Sequence, residues 1–346
     1  MIRINGRPIG DRHPAYIIAE AGVNHDGSVQ KALALVDVAV EAGADAVKFQ
    51  MFRAADLASA TAGLAAYQQT EGHTSQREML EKLELTPAEF GRIREHCRKR
   101  GIEFIATPFG SADVTRLSQL DVPAIKVAST DLNNNPLLRE VAETGLPLIV
   151  STGASTVAEI HACVRQFRGW GAGRRLILLH CISCYPTPLD VANLRAIATM
   201  RTLFNVPCGF SDHTQSKQTG AWAVAAGACV LEKHFTLDRA VAGPDHAMSL
   251  SPPELRAYID AVRQAEVSLG SGALGMSELE ADVRAVARKS LVAARDIQAG
   301  TLLTPEMLTS KRPAGGIAPD QIESLLDRRV TRDISYDTVL TWDMLA

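Results

Sequence analysis

Thr86-Pro-Ala-Glu-Phe-Gly-Arg-Ile-Arg-Glu-His-Cys-Arg-Lys-Arg-Gly-Ile-Glu-Phe-Ile-Ala-Thr107 writes one helix and one strand in a single stretch. Thr86 and Glu89 form a capping box, and Pro87 occupies the first helical position, where its missing N–H costs nothing. Gly101 is placed where the helix must stop, because a left-handed residue there closes the last turn. The short apolar run Glu103–Thr107 then has strand length.

The same grammar extends in both directions. Strands are expected at Ala15–Glu20, Ala46–Gln50, Glu103–Thr107, Ala124–Val127, Pro147–Ser151, Leu176–His180, Val206–Ser211 and Cys229–His234. Thr156-Val-Ala-Glu159 and Ser251-Pro-Pro-Glu254 repeat the capping box, and Gly43, Gly145 and Gly227 repeat the stop signal. Strands alternating with helices signal a parallel sheet, and eight such pairs over about 250 residues point to an α/β fold, the (β/α)8 TIM barrel. Between the second and third strands, roughly Met51–Leu85 exceeds what one connection needs; it should overhang the strands' C-terminal face as a lid or subunit contact. After the helix Ser251–Leu269, Gly270-Ser-Gly-Ala-Leu-Gly275 breaks the pattern. The expected organisation is a barrel over 1–275, a linker over 276–285 and a small domain of short strands and turns over 286–346.

Composition narrows the class. The 346 residues are 46% hydrophobic and 22% charged, with a net charge of −3. No Lys/Arg block suggests nucleic-acid binding. The start of the chain lacks the apolar core of a signal peptide, and the longest apolar stretch, Ala221–Leu231, is too short to span a membrane. Cys163, Cys181, Cys208 and Cys229 lie in apolar runs and read as buried reduced thiols. A soluble cytoplasmic protein is expected.

Chemistry in such a barrel sits at the C-terminal ends of the strands. There the sequence delivers a polar residue at every turn: Glu20; Lys48 and Gln50; Thr107; Lys126 and Ser129; Ser151; Ser183 and Tyr185; Ser211 and His213; Glu232 and His234. An unpaired lysine inside a barrel is costly, so Lys48 and Lys126 with their surrounding hydroxyls describe a cationic cup for a phosphate or a carboxylate. No GxGxxG or GxxxxGK[ST] accompanies it, which argues against a nucleotide. His213 and His234, on consecutive strand ends with Glu232 and Glu20 nearby, suit a divalent metal; Mn2+ is expected first, with Co2+ or Mg2+ as alternatives. Cys181-Ile-Ser-Cys184 is a lone CxxC and reads as core packing rather than a zinc site. The tight loop Gly243-Pro-Asp-His246 can carry Asp245 over the pocket.

These residues resemble a known family, the sialic acid synthases of the N-acetylneuraminate synthase type with their legionaminate and pseudaminate relatives. The resemblance rests on Ile17-Ile-Ala-Glu-Ala-Gly-Val-Asn-His-Asp-Gly27, Val47-Lys-Phe-Gln50, Ala106-Thr-Pro-Phe109, Ile125-Lys-Val-Ala-Ser129, Ser151-Thr-Gly153, His180-Cys, Tyr185-Pro-Thr-Pro188, Gly209-Phe-Ser-Asp-His-Thr214, Leu231-Glu-Lys-His-Phe-Thr236, Gly243-Pro-Asp245 and Lys311-Arg-Pro313. It implies a TIM barrel followed by an antifreeze-like (SAF, β-clip) domain, in a domain-swapped homodimer. It implies phosphoenolpyruvate contacts at Lys48, Thr107, Lys126, Ser129, Ser151, Ser183 and Ser211, and a metal on His213 and His234. It further implies acceptor-sugar contacts at Gln50, Tyr185 and Asp245, with Arg312 reaching in from the partner subunit.

Glu20, Asp131 and Glu232 are the candidate catalytic groups; Asp131 stands where many members have Glu, and Ser183 where some have Asn. The implied reaction is a transferase condensation of phosphoenolpyruvate with an open-chain N-acylated amino sugar, N-acetylmannosamine first, giving a nine-carbon 2-keto acid and phosphate. The rivals are the same chemistry on a 2,4-diacetamido-2,4,6-trideoxy hexose, another phosphoenolpyruvate–aldose synthase, and a non-catalytic sugar-binding protein. No nucleic-acid or membrane partner is expected.

Overall fold

The computed structural model describes residues 1–64 and 75–346, which form two compact units, 1–271 and 272–346. The first opens with a hairpin, β1 (Ile2–Ile4) and β2 (Arg7–Ile9). Eight parallel strands follow: β3 (Tyr16–Gly22), β4 (Ala46–Met51), β5 (Glu103–Pro108), β6 (Ile125–Val127), β7 (Leu148–Ser151), β8 (Leu176–Cys181), β9 (Cys208–Asp212) and β10 (Val230–His234). They close into a barrel in chain order, β10 pairing with β3. The helices of this unit are α1 (Val29–Ala42), α2 (Ala54–Leu57), α3 (Gln76–Glu81), α4 (Pro87–Arg100), α5 (Ser111–Gln119), α6 (Asn135–Glu143), α7 (Val157–Gly169), α8 (Arg195–Phe204), α9 (Thr219–Ala225) and α10 (Pro252–Leu269).

Each expected strand is present, within a residue or two of its expected bounds. The three capping boxes form as expected at Thr86, Thr156 and Ser251. Gly43 and Gly101 close their helices at φ 86° and 74°, a left-handed conformation that side chains resist.

Strand period decides what the barrel holds. Side chains alternate between the two faces of a strand, so every second residue points inward. Near the strands' N-terminal ends the inward residues are apolar: Ile18, Ala46, Ile105, Ala124, Ile149, Ile177 and Val230 pack with Tyr16 and with Ile2, Ile4 and Ile9 of the hairpin. The hairpin was not anticipated in the sequence, because two three-residue strands carry no periodic signal. Arg7 anchors it through an ion pair to Asp45, whose Oδ2 also accepts from the Ile17 N–H at 2.8 Å and pairs with Arg263 at 2.9 Å. The hairpin thereby plugs the N-terminal end. Outward residues such as Val47, Phe104, Val150 and Leu231 pack with Val36, Ile93, Val164 and Ile259 of the surrounding helices in the larger core.

The insertion between β4 and β5 has a small core of its own, in which Phe52, Ala54, Met79, Leu80 and Leu83 gather around Val23. Residues 65–74 of the expected lid lie outside the described residues. Among the described residues no helix is long and apolar enough to cross a membrane.

The second unit holds α11 (Ala281–Ala287) and the antiparallel pair β11 (Ser290–Ala293) and β12 (Leu308–Lys311). Isolated bridges such as Ile297↔Ile334 and Val330↔Leu345 tie the remaining chain around Leu291, Leu303, Ile317, Leu325 and Leu340.

Gly209 sits on the inward face of β9 where two strands crowd together. A Cβ there would collide with the Val230 carbonyl oxygen and stand 2.7 Å from Leu179 Cδ2. Gly209→Ala is expected to cost about 1–3 kcal/mol through overpacking, measured by urea denaturation. Gly169→Ala, where nothing lies within 4 Å, serves as the control and should leave the midpoint nearly unchanged.

Candidate active site

One step of the strand period beyond the apolar layer, the inward residues become Glu20, Lys48, Thr107, Lys126, Ser151, Cys181, Ser211 and Glu232. Together with Gln50, Ser129, Ser183, Tyr185, His213 and His234 they line one cavity of about 510 Å³. Asp245 lies beside it, in an adjoining cavity of about 120 Å³ that shares Gln50, Tyr185 and His234.

Two candidates fall elsewhere. Asp131 is not among the lining residues: it ends a 3-10 turn over Ser129–Asp131, and its Oδ1 accepts from Asn134 Nδ2 at 2.9 Å, next to the start of α6. Arg312 is exposed and belongs to the second unit.

The floor of the cavity is an array of four buried charges. Lys48 Nζ lies 2.8 Å from Glu20 Oε1 and 3.6 Å from Glu232 Oε2, and donates to Thr107 Oγ1 at 3.0 Å. Lys126 Nζ lies 3.7 Å from Glu232 Oε1, which also accepts from Ser211 Oγ at 2.8 Å. Burying one such charge alone would be prohibitive, and the array exists because opposite charges alternate. The two carboxylates are driven apart. Burial raises Glu20 above the carboxylate range against the pull of Lys48. Burial also works against an ionised Glu232, yet Lys126, Lys48 and the Ser211 hydroxyl overcome it and hold Glu232 low. Glu20 Oε2 and Ser151 Oγ are buried with no hydrogen-bond partner, so the floor offers both an acceptor and a hydroxyl to a ligand.

Above the floor, the His213 and His234 rings stand 5.5 Å apart between centroids. His213 Nδ1 meets the Ile182 carbonyl oxygen at 2.8 Å; a carbonyl only accepts, so Nδ1 carries a proton and Nε2 is the nitrogen left for a ligand. Burial works against a charged His213, yet Cys181 and the Ile182 carbonyl overcome it and raise its pKa. His234 Nδ1 is buried without a hydrogen-bond partner, and burial followed by the neighbouring His213 holds this ring neutral. A divalent cation fits this pair: it would take the free lone pair of His234 and displace a proton from His213. Among the described residues no cluster of three or more His, Cys, Asp or Glu side chains is arranged to hold one. A cation here would therefore take its remaining ligands from water or substrate, which is the open arrangement of a catalytic site.

The Asp245 loop is firmly held. His246 Nε2 pairs with Asp26 Oδ1 at 2.8 Å while its Nδ1 meets Thr236 Oγ1 at 2.7 Å, and Asn24 Nδ2 donates to Ser249 Oγ at 2.9 Å. Gly22, at φ +54°, leaves room for the carboxylate: a Cβ there would stand 3.2 Å from Asp245 Oδ2. Burial raises the Asp245 pKa to about 6.

Cys181 corrects the core-packing reading of the CxxC stretch. It is buried but faces the cavity, with Sγ 3.8 Å from His213 Nδ1, whereas Cys184 is exposed. The strand period held the signal, since Cys181 is one step beyond the inward Leu179. The sequence also gave no role to Leu57, Gln76 and Leu80, which bring the described part of the insertion to the cavity wall.

Residues 35–274 match the NeuB family, and residues 288–346 match the SAF domain. The N,N'-diacetyllegionaminic acid synthase of Legionella pneumophila is 40% identical over 347 residues, covering 99% of this chain and 98% of that protein. The N-acetylneuraminate-9-phosphate synthase of Mus musculus is 34% identical, covering 96% of this chain and 93% of that protein. A crystal structure of N-acetylneuraminic acid synthetase from Leptospira borgpetersenii, in complex with citrate, superposes with a TM-score of 0.72 at 34% identity, over 80% of this chain and 92% of that one. By these matches the chain belongs to the NeuB family of sialic-acid-type synthases and carries a C-terminal SAF domain.

Proposed function

We propose that the chain condenses phosphoenolpyruvate with an open-chain N-acylated amino sugar and releases phosphate by C–O cleavage. The observation that carries this reading is the floor of two lysines between two carboxylates, with an unpaired hydroxyl and carboxylate oxygen turned to the cavity. Lys48 and Lys126 neutralise the phosphate and carboxylate of phosphoenolpyruvate, and Thr107, Ser129, Ser151, Ser183 and Ser211 orient them by hydrogen bonds. His213 and His234 would hold a divalent cation, Mn2+ first, which supplies Lewis-acid polarisation of the acceptor's aldehyde oxygen.

Carbon 3 of phosphoenolpyruvate forms a bond to the aldehyde carbon, and the aldehyde oxygen takes up a proton from solvent. Positive charge develops at carbon 2, facing Glu232, which its lysines keep ionised. Water adds at carbon 2 and gives up a proton to Glu20, which later returns it to solvent. The tetrahedral intermediate then breaks its C–O bond to phosphate, the departing phosphate takes the proton of the new hydroxyl, and the 2-keto acid is left. Holding both reactants over a fixed charge array supplies positioning and electrostatic stabilisation together.

N-acetylmannosamine is the simplest acceptor. A second acceptor, a 2,4-diacetamido-2,4,6-trideoxy hexose, is favoured by a specific observation: Val23, Met79, Leu80 and Leu83 line the small cavity beside Asp245, an apolar wall suited to a methyl group where a hydroxymethyl would lose its hydrogen bonds. The higher identity to the legionaminate-named relative supports the same choice. The proposal includes a domain-swapped homodimer in which Arg312 of the partner subunit meets the acceptor's N-acyl group.

The deciding experiment follows phosphate release from phosphoenolpyruvate by chelator-treated enzyme, before and after Mn2+ is restored, with each acceptor in turn. Mn2+-dependent release with the trideoxy hexose exceeding that with N-acetylmannosamine is expected. Release with neither sugar, from enzyme that binds phosphoenolpyruvate, would overturn the acceptor class.

The raised Glu20 pKa fixes the sign of a pH effect. A base acts when ionised, so kcat/KM should rise with pH through an acid limb above the ordinary carboxylate range. Glu20→Gln should remove that limb and lower kcat by about 10²–10⁴-fold. An unchanged profile in the variant would take the role away from Glu20. For Arg312→Ala, steady-state kinetics should show a higher KM for the sugar and an unchanged KM for phosphoenolpyruvate; an unchanged sugar KM would remove the partner contact.

A further inference from the structure

Asp212 and Lys233 are each the sequence neighbour of a cavity histidine, and strand period turns them the opposite way, to the outer face of the barrel. They are register partners across β9 and β10 and almost completely buried, at 1% exposure each. Lys233 Nζ lies 3.1 Å from Asp212 Oδ2. Elsewhere on the described barrel the outward strand positions are filled by apolar side chains, with the uncharged-ring exception of His180 on β8, which donates to or accepts from nothing in the cavity and meets the Ala192 carbonyl. The buried ion pair thus occurs on the two strands that carry His213 and His234.

Its hydrogen bonds to the backbone both end on Thr214, the residue after His213. Asp212 Oδ1 accepts the Thr214 N–H at 2.9 Å, and Asp212 Oδ2 accepts from Thr219 Oγ1 at the start of α9. Lys233 Nζ donates to the Thr214 carbonyl oxygen. The Thr214 hydroxyl is itself 3.0 Å from that of Thr219. On the helix side, the Tyr258 ring of α10 covers Lys233 Nζ at 5.4 Å from its centroid. Gly220 makes room for that ring, because a Cβ there would stand 2.6 Å from the Tyr258 hydroxyl oxygen. An apolar pair of similar volume would fill this space but leave the Thr214 N–H and carbonyl without partners, so what the pair adds beyond packing is its hold on that backbone.

We infer that the Asp212–Lys233 pair is a positioning device that fixes the His213 and His234 rings relative to each other. It ties positions 212 and 214, on either side of His213, to position 233, the residue before His234. The part of this inference that concerns metal rests on the cation reading of the two rings.

The test compares Asp212→Asn/Lys233→Met, made together so that no charge is stranded, with the milder Thr219→Val. Val262→Ala on α10, away from the pair, controls for lost stability. Two measurements are made on the full chain: ring resonances of 15N-labelled histidines without metal, and Mn2+ binding followed by electron paramagnetic resonance. In the double variant the His213 and His234 resonances should shift, and Mn2+ affinity should fall about 10–100-fold, as for other groups that orient a ligating histidine. Thr219→Val should move both in the same direction by less, and decides the matter if the double variant does not fold. Unmoved resonances in a folded variant, or the same changes in Val262→Ala, would overturn the inference. Wild-type protein that binds no Mn2+ would instead remove the cation reading, and the ring resonances would still decide the role of the pair.

Discussion

Two lysine ammonium groups inside a closed barrel set the terms for everything around them. A single buried cation is unaffordable in so dry a place, so each lysine must meet a carboxylate. Glu232 sits between Lys48 and Lys126, and Glu20 closes the array on the other side of Lys48. Strand period makes this possible without special turns, because the charged side chains occupy the inward positions one step above Ile18, Ala46, Ala124 and Val230. The apolar layer below supplies low dielectric, and the array converts it into a divided pair of carboxylates, one raised and one depressed. Such a divided pair is what acid–base chemistry near neutral pH requires.

Most of this was legible before any coordinates. The strands, their order of polar ends and the helix caps all obey local rules, and local rules are what a sequence states openly. Lys48 and Lys126 stand out because the polarity of loops does not place a lysine inside an apolar run, and an unpaired one inside a barrel is costly. What stayed hidden depended on longer reach or broken period. The Ile2–Ile9 hairpin is too short to show alternation, and only the barrel it plugs explains its isoleucines. Asp131 follows a strand of three residues and a 3-10 turn, so counting by twos no longer says which way it points. Cys181 was misread for the opposite reason: its apolar neighbours suggested packing, although the count from Leu179 turns it to the cavity.

The functional layer is therefore stacked in order of generality. At the bottom lies a charge array suited to a phosphorylated acid, above it two imidazoles suited to a cation, and beside those the walls proposed to meet an acceptor. These walls come from the insertion, through Leu57 and Leu80, and from the Asp245 loop. Relatives named for different sugars are 34–40% identical to this chain over nearly its whole length, and barrels of this kind commonly vary their loops while keeping their strands.

The plugged end of the barrel imposes an order of events. With Ile2, Ile4 and Ile9 packed into one end of the described barrel, a ligand comes to the charge array from the strands' C-terminal side, and whatever binds deepest enters first. Lys48 stands one strand step below Gln50, which lines both cavities. Under the proposed reaction this geometry would put the phosphorylated substrate in first, with the sugar behind it as a stopper between the reactive partner and bulk water.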